Sequence, residues 1–382
     1  MTEKSTVRLA AVGDTAAFRR EPESGYAFAG PVLAGYDVVF AQNERLYSTT
    51  EDTIPAVGWT EITRPENVAA LKLGNYDVIS CASNHAMDLG PDVLLETIGA
   101  LRGEGFAVVG AGADNAEART PAFIERDGTS VGFLAYCSLL RPNYEAGPSR
   151  VGVAPMRAHT HYEQVDYQPG TAPRVLTFPV KDDLAAMTAD IRAAKQRCDV
   201  LAVSFHWGIH LVKGVIPDYE YDVARAAIDA GADIVIGHGP HVIKAIEVYA
   251  GKPIFHSLGN FCFDNPRRLI EEARARNAEF DHLIGSHQSI LEPTEYDEWY
   301  HPYTISPDQV LSMIGQVDIV DKRVARVSFR PVVINKRAQP VVQGRDDKGF
   351  RQVLEYIEEV TAGAGLDTTF TVEGDEVVVA LR

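Results

Sequence analysis

The sequence lacks three features that would assign it to well-defined protein classes. It has no excess of positive charge, since 53 acidic residues outnumber 36 basic ones and the net charge is −17, which argues against a broad electrostatic grip on nucleic acid or anionic lipid. It has no apolar run of the roughly 18 residues that a membrane span requires. Its four cysteines lie far apart, without a C-x-x-C pair for zinc or redox chemistry. We therefore expect a cytoplasmic protein that binds neither nucleic acid nor membrane.

Short β-branched runs are abundant, and each is followed by glycine or polar residues and then by a helical pattern. Near-continuous apolar runs are typical of strands buried on both faces, and the intervening helices supply the crossovers of a parallel sheet. Helical spacing places Leu94, Met187 and Ile357 on apolar helix faces. The pattern predicts an α/β layered sandwich. The predicted strands are VRLAAVG, YDVVFA, YDVISCA, FAVVGAG, VGFLAYC, DVLAVSF and ADIVIG.

The composition divides the chain into three parts. Residues 1–263 carry the alternation of strands and helices and form the predicted catalytic core. Residues 264–308 mix charge, histidine and aromatic residues with little strand character, and this composition predicts a lid or insertion. Residues 309–382 contain two strand runs, an amphipathic helix and a terminal hairpin, which we expect to complete the fold as an α+β extension.

Polar residues stand just past the C-terminal ends of several predicted strands. Because ligands of open α/β sheets bind in the crevice outside those ends, we expect these side chains to converge on one strand-end rim. Carboxylates, an amide oxygen and imidazoles suit a borderline divalent cation, and their number is sufficient for two ions. Considered alone, a polar residue at such a position is as often a hydrogen-bonded structural residue as a metal ligand. The candidate ligands are Asp14, Glu44, Asn84, His206, His238 and His241.

Seven motifs follow one another along roughly residues 7–263. They are VGDT at 12–15, FAQNE at 40–44, SNHAMDLG at 83–90, VGAG at 109–112, FHWG at 205–208, GADIVIGHGPHVIKAIEVYAGKPI at 231–254 and HSLGNF at 256–261. In this order they closely resemble the CapA capsule-synthesis (poly-γ-glutamate biosynthesis) family of the calcineurin-like metallophosphatases. The resemblance implies a layered αββα metallophosphatase-like sandwich.

The same resemblance implies a divalent metal site with one or two ions, either manganese, zinc, iron or calcium. Asp14 would bind the first metal, and Glu44 would bridge the two. Asn84, His206 and His238 would hold the second metal, and His241 would return to the first.

A histidine beside the metal-binding asparagine has an implied catalytic role. His85 resembles the acid/base histidine of the family, and Asp88 can orient it. The alternative for Asp88 is a helix N-cap ahead of Pro91.

The chain departs from the family motifs at several positions. Thr15 and Ala16 follow the first aspartate, where the wider superfamily has the histidine of a D-x-H motif. Gln42 stands where the family usually has asparagine, Gly239 where it usually has a second histidine, and His256 where it usually has tyrosine. These departures count against plain phosphatase chemistry and favour a metal site that is either depleted to one ion or altered in which ion it takes.

The first functional hypothesis is Cα epimerisation of a peptide residue from L to D. The resemblance extends to soluble relatives that include the epimerase of lasso-peptide maturation, so the implied partner is a peptide, or a precursor peptide delivered by a recognition protein. Inversion needs acid/base groups on opposite faces of the Cα atom. We predict Asp14 and His301 as this pair, with His282 and His287 as further candidates and a solvated lid histidine as the alternative. The residues predicted to contact the substrate are His256, Trp299 and Tyr300.

Two other functions compete with epimerisation. One is metal-dependent hydrolysis of a phosphoester or of a γ-glutamyl or peptide amide, in which His85 protonates the leaving group. The other is a binding module without catalysis, which would leave the histidines of the rim without a purpose. The fate of the Cα proton separates the first two functions, because only an epimerase exchanges it with solvent.

Overall fold

Two large β-sheets form the framework of the protein in the computed structural model, which describes residues 6–16, 19, 21–50, 62–263 and 307–381. Each of the seven runs predicted as strands contains a strand. The fold is mixed α/β, with several sheets and few helices, which confirms the predicted class at this level.

The first sheet has ten strands and combines a parallel half with an antiparallel half. Its strands are β1 (Thr6–Ala16), β2 (Val38–Asn43), β5 (Val78–Ser80), β6 (Ala107–Val109), β17 (Asn260–Phe263), β18 (Leu311–Val320), β19 (Arg323–Ile334), β20 (Pro340–Val342), β21 (Phe370–Glu373) and β22 (Glu376–Val379). Strand β1 pairs in parallel with β2 and antiparallel with β18. The C-terminal part of β1 also pairs in parallel with β17, with Asp14 opposite Asn260.

The second sheet has six strands. They are β8 (Ala122–Arg126), β9 (Thr129–Cys137), β13 (Val200–His206), β14 (Ile234–His238), β15 (Ile246–Tyr249) and β16 (Lys252–Phe255). The four inner strands β9, β13, β14 and β16 are parallel, and β8 and β15 are antiparallel edges. The remaining strands of the described residues form three two-stranded sheets: β3 (Leu46–Tyr47) with β4 (Ile62–Thr63), β7 (Ala111–Gly112) with β10 (Gly152–Val153), and β11 (Ala158–Glu163) with β12 (Arg174–Pro179).

Helices bury the apolar faces that their sequence spacing predicts. Within the described residues, the α-helices are α1 (Gly30–Leu33), α2 (Pro91–Gly103), α3 (Asn115–Ala118), α4 (Lys181–Lys195), α5 (Asp218–Ala230) and α6 (Lys348–Gly363). Short 3₁₀ helices span Pro22–Tyr26, Pro65–Gly74 and Pro307–Val310. Leu94 on α2, Met187 on α4 and Ile357 on α6 are all fully buried. Among the helices of the described residues, none is long and apolar enough to span a bilayer.

The inner strands of the six-stranded sheet are buried on both faces. On one face, Phe133 of β9 stacks on Phe40 of β2 with ring centroids 5.6 Å apart, within a core shared with the ten-stranded sheet. On the other face, Leu201 and Val203 of β13 pack in a second core with residues of α4 and α5. Burial on both faces explains why these strands are apolar almost throughout.

The described residues leave the predicted three-part division open. Strand β18 pairs with β1, so residues after 309 belong to the same sheet as the start of the chain. Residues 264–306, which contain nearly all of the predicted lid, lie outside the described residues. The boundaries 1–263, 264–308 and 309–382 stay a prediction.

Candidate metal centre

Five of the six predicted ligands meet in one buried cluster at the ends of the parallel strands. Asp14 Oδ1 lies 3.4 Å from His238 Nδ1, and Asp14 Oδ2 lies 3.6 Å from His241 Nδ1. Glu44 Oε1 lies 3.4 Å from His206 Nδ1, and Glu44 Oε2 lies 3.6 Å from His241 Nε2. All five side chains are buried. The structure therefore joins residues that are more than 200 positions apart in the sequence.

Parallel register accounts for this convergence. His206 and His238 are the last residues of β13 and β14 and stand opposite each other, so their side chains lie on the same face. In the facing sheet, Asn260, Asp14 and Gln42 stand side by side on β17, β1 and β2. Because side chains in register on neighbouring strands share a face, each sheet presents one polar row at its strand ends.

The cluster leaves many buried polar atoms without hydrogen-bond partners among the described residues. Buried polar groups are nearly always paired, and an uncompensated buried charge is strongly destabilising. Ligand atoms of Asp14, Glu44 and His241 lie within 4.8 Å of one another, close to the maximum of about 4.4 Å between two ligands of a zinc-like ion and within the maximum of about 5.2 Å for calcium. The residues present therefore fit a divalent cation. The unpartnered atoms are Asp14 Oδ1, both carboxylate oxygens of Glu44, His206 Nδ1 and both ring nitrogens of His238.

The electrostatics of the cluster favour the metal-binding forms of Asp14, His206 and His241, whereas the protein environment alone favours the protonated form of Glu44. Burial raises the pKa of Asp14, but the proximity of His238 and the charges of His241 and His206 outweigh it and lower that pKa to about 2. Burial lowers the pKa of His206 to about 3 and also lowers the pKa of His241. Burial and the charge of Asp14 raise the pKa of Glu44. Neutral imidazoles and ionised carboxylates are ligands, so a bound cation would keep Glu44 ionised.

Gly239 occupies a position that no side chain can fill in this conformation. Its φ is +101°, and a Cβ there would lie 2.9 Å from Trp207 O and 3.0 Å from His206 Nε2. Its backbone N–H donates to Asp14 Oδ2 at 3.1 Å. Glycine in place of the family's second histidine thus allows the backbone N–H of residue 239 to contact Asp14 directly.

Two other departures from the family motifs have structural partners. Thr15 Oγ1 donates to Gln42 O at 2.7 Å, which ties β1 to β2. The Gln42 amide donates to Ala82 O at 3.1 Å, while its Oε1 has no partner among the described residues. Gln42 is fully buried, so its carbonyl oxygen is a further unsatisfied acceptor beside Asp14.

The sixth predicted ligand, Asn84, is only half-buried. Its Oδ1 lies 3.4 Å from Ser83 Oγ, in the turn that follows β5. Its role as a ligand stays a prediction.

The next residue, His85, forms a hydrogen-bonded pair with a buried carboxylate. His85 Nδ1 lies 2.7 Å from Asp88 Oδ2, and the His85 side chain is 38% exposed. Helix α2 begins at Pro91 with Gly90 at its N-cap and without a side-chain cap. The alternative interpretation of Asp88 as a helix N-cap is therefore wrong.

The predicted substrate-binding and lid residues do not add to this site. His256 is fully buried, with its Nε2 3.2 Å from Glu247 Oε2 and its Nδ1 3.5 Å from Glu220 Oε2. A side chain enclosed between two glutamates cannot contact substrate, so the substrate-binding prediction for His256 is corrected to a structural role. His301, Trp299, Tyr300, His282 and His287 lie outside the described residues.

Sequence reasoning missed two residues that hold the site together. Asn260 Oδ1 accepts a hydrogen bond of 2.7 Å from His241 Nδ1, and the HSLGNF motif contained the signal for it. Tyr144 OH donates to Asp88 Oδ1 at 2.9 Å. No motif marked Tyr144, because it lies 56 residues from Asp88 in an irregular segment.

Comparison with known proteins identifies a family and several relatives. Residues 8–265 match the family described as bacterial capsule synthesis protein PGA_cap. The PGA biosynthesis protein CapA of Bacillus subtilis is 32% identical over 203 residues, which cover 53% of this chain and 46% of that protein. The probable polyglutamine synthesis accessory protein Rv0574c of Mycobacterium tuberculosis is 33% identical over 204 residues, 52% of this chain and 48% of that protein. The chain spans about half the length of these two curated relatives.

A third relative matches over a longer stretch. The uncharacterized protein y4uA of Sinorhizobium fredii is 28% identical over 314 residues, which cover 69% of this chain and 67% of that protein.

Proposed function

The chain belongs to the bacterial capsule synthesis protein family PGA_cap, and from this premise we propose that it hydrolyses γ-glutamyl amide bonds at a divalent metal site. The names of its relatives refer to PGA and polyglutamine synthesis, which makes a glutamate-containing polymer or peptide the favoured substrate class. The observation that carries the proposal is the buried cluster of two carboxylates and three imidazoles with unpartnered atoms among the described residues.

The cluster offers enough ligands for one or two ions. Asp14, Glu44 and His241 would hold one divalent cation, and His206 and His238 stand beside them for a second. Such a cation, when bound, would polarise the carbonyl oxygen of the scissile amide and stabilise the negative charge that develops there.

His85 is the residue best placed to donate a proton at this site. Its Nδ1 is engaged by Asp88, and its ring is the exposed member of the pair. The remaining nitrogen, Nε2, would protonate the leaving amine as the C–N bond breaks. Amines leave poorly without a proton, so an amide substrate depends on this residue.

Cα epimerisation has no support in the names of the relatives, and the geometry argues against Asp14 as its base. The Asp14 carboxylate is fully buried among histidines and accepts a hydrogen bond from Gly239 N–H. Its pKa of about 2 makes it a weak proton acceptor toward a Cα–H bond. We therefore favour hydrolysis over inversion.

Several finer expectations from the sequence stay predictions alongside this proposal. They are the αββα layering, the lid at 264–308, delivery of a peptide by a partner, and the cytoplasmic location.

The proposal is tested with the purified chain, loaded in turn with Mn²⁺ and Zn²⁺, on a synthetic γ-glutamyl oligomer. Mass spectrometry should show fragments that account for one added water per cleaved bond. Glu44→Gln should lower both metal affinity and the cleavage rate by at least about 100-fold. Loss of a residue that only supports a ligand costs up to about 100-fold, and Glu44 is proposed to bind the metal directly. The matched control is Glu125→Gln, which changes an exposed glutamate on β8.

Three outcomes would contradict the proposal. Cleavage by Glu44→Gln at the wild-type rate would remove the cluster from the chemistry. Turnover of p-nitrophenyl phosphate without any amide cleavage would assign a phosphoesterase instead. Deuterium incorporation at Cα in heavy water, without added water mass, would restore the epimerase.

A further inference from the structure

Three side chains from two distant segments form a continuous hydrogen-bonded series. Tyr144 OH donates to Asp88 Oδ1 at 2.9 Å, and Asp88 Oδ2 lies 2.7 Å from His85 Nδ1. We propose that Tyr144 is a positioning residue that fixes the Asp88 carboxylate and, through it, the orientation and tautomer of His85. The inference rests on the proposed hydrolysis, in which His85 donates the proton.

Tyr144 and Asp88, the first two residues of the series, are buried, and His85, the last, is partly exposed. Tyr144 is 8% exposed and Asp88 is 1% exposed, whereas the side chain of His85 is 38% exposed. Both oxygens of the Asp88 carboxylate are therefore engaged inside the protein, and only the histidine faces solvent. A buried carboxylate with both oxygens fixed cannot rotate, so it presents one defined acceptor to Nδ1–H.

The backbone holds Tyr144 in place independently of the hydroxyl. Its N–H donates to Arg141 O at 3.0 Å, and its carbonyl oxygen accepts from Val153 N–H at 3.0 Å on β10. Asp88 is likewise held by its own N–H, which donates to His85 O at 3.2 Å. Removal of the hydroxyl alone should therefore leave the fold intact and free only the carboxylate.

The orientation matters at one moment of the reaction. Water adds to the carbonyl carbon as hydroxide, the C–N bond breaks, and the amine nitrogen takes the proton of His85 Nε2. The proton released by the water then restores His85. Loss of the correct tautomer or ring angle should slow this transfer, whereas substrate binding and metal retention should be unchanged.

The first test compares leaving groups in Tyr144→Phe, which keeps the ring and removes the hydroxyl. The kcat for a γ-glutamyl alkylamide should fall by about 10-fold to 100-fold, part of the 10²–10⁴-fold that a positioned acid supplies. KM and metal content should stay at wild-type values. The kcat for the corresponding p-nitrophenyl ester should not change, because p-nitrophenolate leaves without a proton.

The matched control is Tyr136→Phe. Tyr136 is also buried, and its hydroxyl also donates to an aspartate, Asp190 Oδ2, at 2.9 Å. Asp190 pairs with Arg119 on the far side of the six-stranded sheet and not with His85. This variant should hydrolyse both substrates at the wild-type rate.

A double-mutant cycle tests whether Tyr144 acts through His85. In a His85→Ala background, Tyr144→Phe should cause no further loss on the alkylamide. An equal loss on both substrates, or a loss that persists without His85, would reduce Tyr144 to a structural residue. An unchanged alkylamide rate in Tyr144→Phe would also overturn the inference.

A second measurement does not depend on activity. In protein with ¹⁵N-labelled histidine, the Nδ1–H proton of wild-type His85 should give a separate, slowly exchanging signal because Asp88 holds it, and Tyr144→Phe should remove that signal by faster exchange. The absence of this signal from the wild type would overturn the inference. Its presence with no amide cleavage by the wild type would instead refute only the proposed function.

Discussion

At the scale of single residues, the cluster depends on side chains that form hydrogen bonds with the non-ligating atoms of the metal ligands. Asn260 Oδ1 can only accept, so its 2.7 Å contact places the hydrogen on His241 Nδ1 and leaves Nε2 as the ligand atom facing Glu44. Because Asn260 begins β17 and His241 follows β14, the histidine and its partner are positioned by different segments.

Asn260→Ala should lower the affinity for Zn²⁺ by about 10-fold to 100-fold, because His241 loses its fixed tautomer. Isothermal titration calorimetry measures the effect, and Asn67→Ala, which removes a hydrogen bond far from the cluster, serves as the control. Equal affinities in all three proteins would show that His241 needs no support.

Gly239→Ala should abolish metal binding and lower the melting temperature. The φ of +101° is strained for alanine, and the new Cβ would press on Trp207 O and His206 Nε2. Gly99→Ala is the matched control, because Gly99 is exposed on α2 and a Cβ there meets no atom within 4 Å. The control should be neutral or stabilising by up to about 1 kcal/mol. Wild-type metal binding by Gly239→Ala would contradict the packing argument.

His256 should make stability depend on pH. Burial lowers its pKa, but the hydrogen bonds and charges of Glu220 and Glu247 outweigh burial and raise it. A raised pKa in the folded state means that the stabilisation is complete below the unfolded value of about 6.5 and is lost as the pH rises through the folded pKa.

The melting temperature of the wild type should therefore exceed that of His256→Gln most at about pH 6, and the difference should shrink toward about pH 9. Scanning calorimetry at several pH values measures it, with His159→Gln on the exposed strand β11 as the control. A difference that grows with pH would mean that the buried imidazole is neutral.

At the scale of elements, the connection between β13 and α5, residues 207–217, lies against the metal cluster. His210 and His241 contact each other edge to face with ring centroids 5.0 Å apart. A buried lysine holds this connection, since Lys244 Nζ donates to the carbonyl oxygens of Val212 and Val215, the second at 2.9 Å. Lys244 thus contributes two hydrogen bonds to a segment that exposes the apolar side chains Ile209, Val212 and Val215.

Lys244→Met should speed amide hydrogen exchange across residues 207–217 by at least about 10-fold, because a hydrogen bond to a charged donor contributes about 1.5–3 kcal/mol. Exchange in α2 should be unchanged. Lys252→Met, which removes a lysine bonded to Ala232 O at 2.7 Å, is the control. Uniform acceleration throughout the protein would indicate global destabilisation instead.

At the scale of the whole molecule, the metal cluster lies between the two sheets, and its two carboxylates, Asp14 and Glu44, repel each other in the absence of a cation. Asp14 and Glu44 belong to the ten-stranded sheet and its following loop, and His206 and His238 end strands of the other sheet. Metal should therefore stabilise the entire fold, by about 2.7 kcal/mol at a concentration of 100 Kd.

Chelation by EDTA should lower the melting temperature of the wild type and leave that of Glu44→Gln unchanged. Without metal, Glu44→Gln should melt higher than the wild type, because it removes a buried acid whose pKa is raised by burial and by Asp14. With Zn²⁺ the order should reverse. The same order in both conditions would show that Glu44 does not bind the ion.

Local sequence patterns were sufficient to predict the parallel strands and the polar residues at their ends. Apolar runs mark doubly buried strands, and parallel strands bring their C-terminal ends to one edge, so the convergence of Asp14, His206 and His238 was predictable from local patterns.

The support of those residues depends instead on contacts between segments that are far apart in the sequence. The pairing of Tyr144 with Asp88, the enclosure of His256 between two glutamates and the lack of space at Gly239 arise where distant segments pack against one another. Hydrophobic periodicity is a property of neighbouring residues and can be read from the sequence. Contacts between distant segments depend on how the whole chain packs, so no local pattern predicts them.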